Sequence, residues 1–324
     1  MKKMKVLVTG ATGLVGTQIG RSLVANGHHV VAMVRKNPAQ AKTALPFEAE
    51  VFAWESDSET FPIAALEGVE AVIHLSGEPI AGFWTESKKT KIFNSRIIST
   101  RKIVEAFKSR KELGKTLPRV FVSASAVGIY GDQGHQLLEE ESVIGSDFLA
   151  DVCINWELEA EVANRLGIRV VRVRTGLVLS PQGGFLGKVI PIFSKGLGGY
   201  LGSGHQWMSW IHLEDIANLY VFAVENENVE GAINAVSPEP ITNRGFTREL
   251  AKALRRPAFL PVPKIALKSV LGEMSTLALS SQRASSEKIQ NLGFHFKFIR
   301  FRDAIRSICA LRGGTAEMEY EPRL

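Results

Sequence analysis

Gly10, Gly13 and Gly16 recur every third residue in TGATGLVG, a spacing that lets main chain hold an anion. Gly10 can make a tight turn, and Gly13 removes a side chain where backbone must approach a pyrophosphate. Gly16 permits close packing of a helix on the strand before it. Thr12, Leu14 and Val15 complete the turn and open a helix whose first N–H groups face the phosphates. Further along, MVRKNP places Arg35 and Lys36 where an acidic residue would bind a ribose 2′-hydroxyl. A basic group there binds a 2′-phosphate, so NADP(H) is favoured and NAD(H) is left open. Cys153 and Glu157 lie one helical turn apart, on one face, in SDFLADVCINWE. A thiol titrates at about 8.5, which suits proton exchange, but a neighbouring carboxylate raises that value.

These residues need particular elements to position them. KVLVTG is an apolar, β-branched run ended by glycine, as a buried parallel strand requires. LVGTQIGRSLVANGH has helical spacing and stops at Gly27. HVVAMVR, AEVFAW, VEAVIHLSG and RVFVSAS continue the strands. IRVVRVRTGLVLS is expected as a sixth, after a helix around Trp156. The charged, periodic segment 85–111 is expected to be a long helix, in one piece or two. Strands alternating with helices define an α/β fold, a Rossmann-type doubly wound parallel sheet. After Pro181 the texture becomes rich in glycine and aromatics, then helical, with prolines between. Residues 1–180 are therefore expected to form the nucleotide domain, its sheet open to later strands. Residues 181–312 are expected to form a smaller C-terminal substrate lobe and 313–324 a loosely ordered tail.

The 324 residues carry 39 Lys and Arg against 33 Asp and Glu, a formal charge of +6 that suits an anionic small molecule. No nucleic-acid module is present, so no nucleic-acid partner is expected. Two cysteines, Cys153 and Cys309, cannot make a disulfide framework, which points to a reducing compartment. The apolar run after MKKMK is too short for a signal peptide, and no uncharged stretch reaches the length of a membrane span. A cytoplasmic protein without membrane partners is the expectation. The seven histidines are dispersed, and no cluster has metal-ligand spacing.

With the glycine fingerprint, VIHLSGEPI and VSASAVGIYG in place, the chain resembles the extended short-chain dehydrogenase/reductase superfamily, in its NAD-dependent epimerase/dehydratase group, over nearly its whole length. FWTESKK, GSGHQWMSWIHLEDI, AVSPEPITNRGFT and RRPAFLPVP are similar to stretches of an atypical subgroup labelled nucleoside-diphosphate sugar epimerases. That subgroup ends in a short domain of unknown function, which resembles residues from about Pro257 to Asp303. The resemblance implies a pyrophosphate lined by Gly10, Thr12, Gly13, Leu14, Val15 and Gly16, with Arg35 at the adenosine phosphate. Leu75, Ser76, Gly77, Glu78 and Ser123 would lie beside the cofactor, and Ser125 would stand at the place of the catalytic serine or threonine.

Two departures follow from the same resemblance. The superfamily's Tyr-x-x-x-Lys pair reads here as Cys153 and Glu157, which reverses the charge beside the acid. Three readings stay open: Cys153 donates as a thiol with Glu157 as base; Glu157 alone exchanges the proton or holds the cofactor ribose; or neither reacts. Tyr130, five residues beyond Ser125, is a further candidate for the missing phenol. Arg96 takes the place of a structural asparagine, where it could bind an anionic substrate or pair with Glu157 or Glu78. Lys188, Gln206, Trp207 and His212 are candidate substrate contacts, with Asp215 at a helix start. The resemblance also implies a homodimer through two long helices, 85–111 and 151–165. The expected function is that of an NADP(H)-binding, epimerase-like oxidoreductase for a small polar substrate, such as a nucleotide sugar. The alternative is a dinucleotide-binding sensor without turnover.

Overall fold

A computed structural model describes residues 3–35, 37–56 and 58–312. Lys36 and the expected tail lie outside the described residues. The chain runs β1 (Lys5–Thr9), α1 (Leu14–Ala25), β2 (His29–Val34), α2 (Pro38–Ala44), β3 (Glu50–Ala53), β4 (Ala71–His74), α3 (Glu86–Glu112), β5 (Val120–Ala126), β6 (Leu137–Leu138), α4 (Phe148–Glu161) and β7 (Arg169–Thr175). It continues through β8 (Leu177–Leu179), α5 (Gly184–Ser194), β9 (Trp207–Met208), β10 (Trp210–His212), α6 (Leu213–Glu225) and β11 (Gly231–Ala235). The remainder is β12 (Ile241–Thr242), α7 (Asn243–Leu254), α8 (Lys264–Leu271), α9 (Thr276–Leu279), β13 (Arg283–Ala284), α10 (Glu287–Asn291) and α11 (Phe301–Arg312).

Seven strands form one sheet in the order β11-β7-β5-β4-β1-β2-β3, and every pairing is parallel. The chain builds outward from β1 in one direction and then from β4 in the other. The crevice outside the carboxyl ends of β1 and β4 is thus the topological switch point, where such sheets bind ligands. Alternation along β1 sends Val6 and Val8 to one face and Leu7 to the other. Val6 and Val8 meet Ile19, Leu23 and Leu219 under α1 and α6. Leu7 meets Ile103, Phe107 and Phe121 under α3 and the end of α4.

The long helix is one unbroken element. Thr85 caps it by accepting from the Lys88 amide (3.2 Å), and Gly114, at φ +65°, ends it. The expected sixth strand is instead two strands in two sheets. A Cβ at Gly176 would lie 2.7 Å from the Ser209 carbonyl oxygen, so only glycine lets the chain turn there. Beyond it, β8 pairs in parallel with β10. GAINA, which the sequence left without an element, forms β11 and closes the main sheet beside β7. The lobe is therefore discontinuous: α6 and β11 return to the sheet between its two parts. Leu186, Phe193, Trp210, Phe246, Leu250, Phe301 and Ile305 make its separate core.

Candidate dinucleotide and active site

The β1–α1 turn has the geometry its glycines require. Gly10 sits at φ +67°, where a side chain would be strained. A Cβ on Gly16 would fall 2.2 Å from the Gly10 carbonyl oxygen, so the helix can approach the strand only through glycine. Gly13 caps α1 without any side-chain hydrogen bond. The amides of the first turn, including Leu14, Val15 and Gly16, are left facing the crevice, and Thr12 and Gly13 are exposed. Gly184, at the start of α5, approaches Leu14 so closely that its Cβ would lie 3.3 Å from Leu14 Cδ2. The lobe thus overhangs the phosphate turn. Arg35 is exposed at the end of β2.

A directional chain of hydrogen bonds fixes the loop after β4. Thr9 Oγ1 accepts from the amides of Leu75 (3.0 Å) and Ser76 (3.2 Å). Its own hydrogen then goes to His74 Nδ1 (2.7 Å), which makes Nε2 the protonated nitrogen. Nε2 donates to Ser99 Oγ (3.1 Å), and Ser99 donates to Ser95 O (2.6 Å). Burial, with the Arg96 charge adding to it, lowers His74 to about 3, so this chain runs through a neutral ring. Ser123, in register with His74, is buried inside the sheet and donates to its own neighbour, Ala124 O (3.3 Å). It stands short of the rim where a cofactor contact was expected.

Arg96, on α3, reaches under this loop. Its Nη1 donates to the carbonyls of Glu78 (3.0 Å) and Ile92 (3.1 Å), and its guanidinium lies 5.2 Å over the Trp156 ring. A Cβ on Gly77 would be 3.1 Å from its Cζ, so the guanidinium packs flat against Gly77. Arg96 makes no ion pair among the described residues, and neither carboxylate named for it takes that role. Glu78 instead accepts from Lys88 Nζ (2.6 Å). The Lys88 hydrogen bond holds the Glu78 carboxyl below its usual range against the effect of burial; the charges of Lys88, Lys91 and Arg35 add to it.

Glu157 meets a different arginine. Arg174, on β7, grips it in a buried two-point pair, Nε to Oε1 and Nη2 to Oε2, both 2.9 Å. Ser125 Oγ donates to the same Oε1 (2.7 Å). The third face of Arg174 donates through Nη1 to Tyr130 Oη (3.0 Å) and Glu140 O (2.6 Å). Tyr130 Oη donates onward to Asn234 Oδ1 (2.7 Å), so this phenol is fully buried and fully engaged. Cys153 is buried one turn before Glu157, in hydrogen-bond contact with Ser125 and the Ala126 backbone. Burial, then the Glu157 charge, pushes its thiol up to about 12. Ser125, Cys153, Glu157 and Tyr130 are thus brought together, but around Arg174, which nothing in the local sequence marked.

The expected lobe contacts divide. Gln206 is buried and straps two segments, donating to Leu201 O (3.0 Å) and Ala278 O (2.9 Å). His212 caps α6 by accepting from the Glu214 amide (3.2 Å), with its ring 3.9 Å from that of Phe298; burial lowers it to about 4. Asp215 accepts the amides of Lys297 and Phe298. Lys188 is exposed on α5. Trp207 is half-buried, its Nε1 3.0 Å from His135 Nδ1 and its ring beneath the Arg283 guanidinium at 4.7 Å.

A parallel sheet with an uncapped, glycine-built helix start at its switch point defines a Rossmann-type dinucleotide-binding protein. The chain belongs to the NAD dependent epimerase/dehydratase family, whose family profile matches residues 6–235; a domain of unknown function, DUF1731, matches residues 262–308. It is 38% identical over 309 residues to an epimerase family protein SDR39U1 homolog, chloroplastic, of Arabidopsis thaliana, covering 94% of this chain and 87% of that one. It is 34% identical to the epimerase family protein YfhF of Bacillus subtilis, over 95% of this chain and 99% of that one. The crystal structure of human epimerase family protein SDR39U1 with NADPH is similar at a TM-score of 0.83 and 30% identity, covering 94% of this chain and 99% of that one.

Proposed function

We propose that this protein binds NADP(H) at the β1–α1 turn and transfers hydride reversibly to and from a small polar substrate with an anionic group, which Arg96 receives. A nucleotide-linked sugar falls within that class. The observation that carries the reading is the Arg96 guanidinium, packed against Gly77 and the Trp156 ring, with carbonyls as its hydrogen-bond partners and no carboxylate in ion-pair contact among the described residues. A half-buried cation without a counter-ion favours an incoming anion.

The residues fit a dinucleotide, because Gly16 allows no Cβ and Gly13 leaves the helix uncapped. The first-turn amides would hold the pyrophosphate and Leu75–Gly77 its flank, while Arg35 supports the 2′-phosphate form. The relative crystallised with NADPH favours the same form. The nicotinamide, when bound, supplies or accepts the hydride. Ser125 gives its own hydrogen to Glu157, so its oxygen is available to accept from a substrate hydroxyl. A proton leaving that hydroxyl then has a path through Ser125 Oγ to Glu157 Oε1.

A second reading, binding without turnover, draws on the Cys153 thiol at about 12 and on the two Glu157 oxygens already held by Arg174. NADPH oxidation against carbonyl compounds with and without a carboxylate or phosphate separates the two. Turnover confined to the anionic compounds, with KM raised at least about tenfold in Arg96→Gln and less in Arg96→Lys, supports the first. Intact NADPH binding with no turnover across the set supports the second.

A further inference from the structure

The excess positive charge of the chain is not spread over it. Residues 244–271 hold seven of the 39 Lys and Arg and one of the 33 Asp and Glu, so this stretch alone accounts for the +6 and the rest of the chain is balanced. The structure gathers five of these charges round one groove of the lobe, and Lys264 and Lys268 follow on α8. Arg244, Arg248 and Lys252 lie four residues apart along α7, and Arg255 and Arg256 follow at its end. Together they line a groove of about 490 Å³ with Tyr200 and Ala258. Glu249 answers only Arg248 and Lys252 among them. Arg244, Arg255, Arg256 and Lys264 make no ion pair among the described residues.

The adjoining chain is apolar and unusually exposed. Phe259 is 70% exposed, Ile265 80% and Val270 63%, with Leu260 also open to solvent. In α8, Leu267 is the one buried residue. A short helix with one buried side chain, with Ile265 beside Lys264 and Val270 beyond Lys268 turned outward, buries little apolar surface of its own. Its composition is that of a surface which enters a headgroup layer: apolar side chains to sink below the phosphates and cations to meet them.

We propose that this ledge, α7 with residues 255–271, docks the protein on an anionic lipid bilayer, with headgroup phosphates in the groove and Phe259, Leu260 and Ile265 in the interface. Two other occupants fit less well. A second copy would set like charges against each other across a two-fold axis. A nucleic acid would match the cations but leave isoleucine and valine without apolar partners. Docking of this kind needs no spanning segment, and no described helix is long and apolar enough to be one.

The test is co-sedimentation of the full chain with vesicles of phosphatidylcholine plus phosphatidylserine, and of phosphatidylcholine alone, at about 0.1 M and about 1 M salt. The expected result is binding to the mixed vesicles that weakens at high salt and little binding to the neutral ones. The charge variant Arg255→Gln, Arg256→Gln, Lys264→Gln lowers partitioning on the order of 100-fold. The apolar variant Phe259→Ser, Ile265→Ser lowers it at least about tenfold. Both variants keep the wild-type melting temperature and nucleotide affinity, because every substituted side chain is exposed. Absence of wild-type binding to the mixed vesicles overturns the proposal, as does equal binding to neutral ones. An apolar variant that binds like wild type also overturns it, and a single-stranded oligonucleotide or acidic protein then becomes the better occupant.

Discussion

Arg174 and Glu157 form a buried two-point ion pair that ties β7 to α4 directly behind Ser125. The helix carries the carboxylate and the sheet carries the cation, so the negative charge that SDFLADVCINWE brings to this helix is balanced across the fold. Arg96 then adds a positive charge near Cys153 that has no carboxylate in ion-pair contact among the described residues, with Glu78 acting on it only at longer range.

Breaking this pair from one side strands a buried charge. Glu157→Leu or Arg174→Met alone should each lower unfolding free energy by about 3–5 kcal/mol, and the double change Glu157→Leu, Arg174→Met should cost less than the two single costs together. Urea unfolding of the four proteins measures this. Strict additivity would show that the pair is not an energetic unit.

Cys153 should resist modification. With its thiol pushed to about 12, it is protonated and buried at ordinary pH. Alkylation of the native protein at pH 8, mapped by mass spectrometry, should modify half-buried Cys309 well before Cys153. Rapid native labelling of Cys153 would restore it as a thiol donor.

The phosphate turn was legible because its signal is local: three glycines, a strand before them and a helix after. So were the first five strands, whose apolar runs are buried on both faces in all but the edge strand β3. Arg174 was not legible. It is one of three arginines in RVVRVRT, and only the crossing of α4 over β7 puts it in two-point contact with Glu157, with Arg172 Nη1 further off at 3.6 Å. Thr9 and His74 were hidden for the same reason, being 65 residues apart and joined only by the β1–β4 pairing. The break at Gly176 was missed because it depends on the Ser209 carbonyl from another strand. Gln206 and His212 looked chemical by residue type, but Gln206 Nε2 is spent on two carbonyls and His212 Nδ1 on the Glu214 amide; His212 Nε2 is buried without a hydrogen-bond partner among the described residues.

Acid should destabilise the protein through its buried imidazoles. His74 and His212 fall from 6.5 to about 3 and about 4 on folding, so the fold favours their neutral forms. Their contribution is complete above about 6.5 and is lost as pH falls through that value towards the folded values. Each costs roughly 2–3 kcal/mol at about pH 4.5. Chemical denaturation should show a plateau above about pH 7 and a decline below about pH 6 that is shallower in His74→Gln than in wild type. An unchanged decline would assign the acid sensitivity elsewhere.

Gly16→Ala places a methyl group 2.2 Å from the Gly10 oxygen, and backbone has to move to admit it. NADPH affinity should fall on the order of 100-fold or more, with a loss of stability of about 1–3 kcal/mol. Gly13→Ala, at 3.2 Å from the same oxygen, should leave the fold stable and weaken binding less. Equal nucleotide affinities for wild type and Gly16→Ala would remove the turn from the site.

The most direct measurement is a fluorescence titration of wild type and Arg35→Ala with NADPH and with NADH. The wild type should bind NADPH at least about tenfold more tightly than NADH, and Arg35→Ala should lose most of that preference by weakening NADPH alone. Equal or tighter binding of NADH by the wild type would contradict the site built from the β1–α1 turn and Arg35.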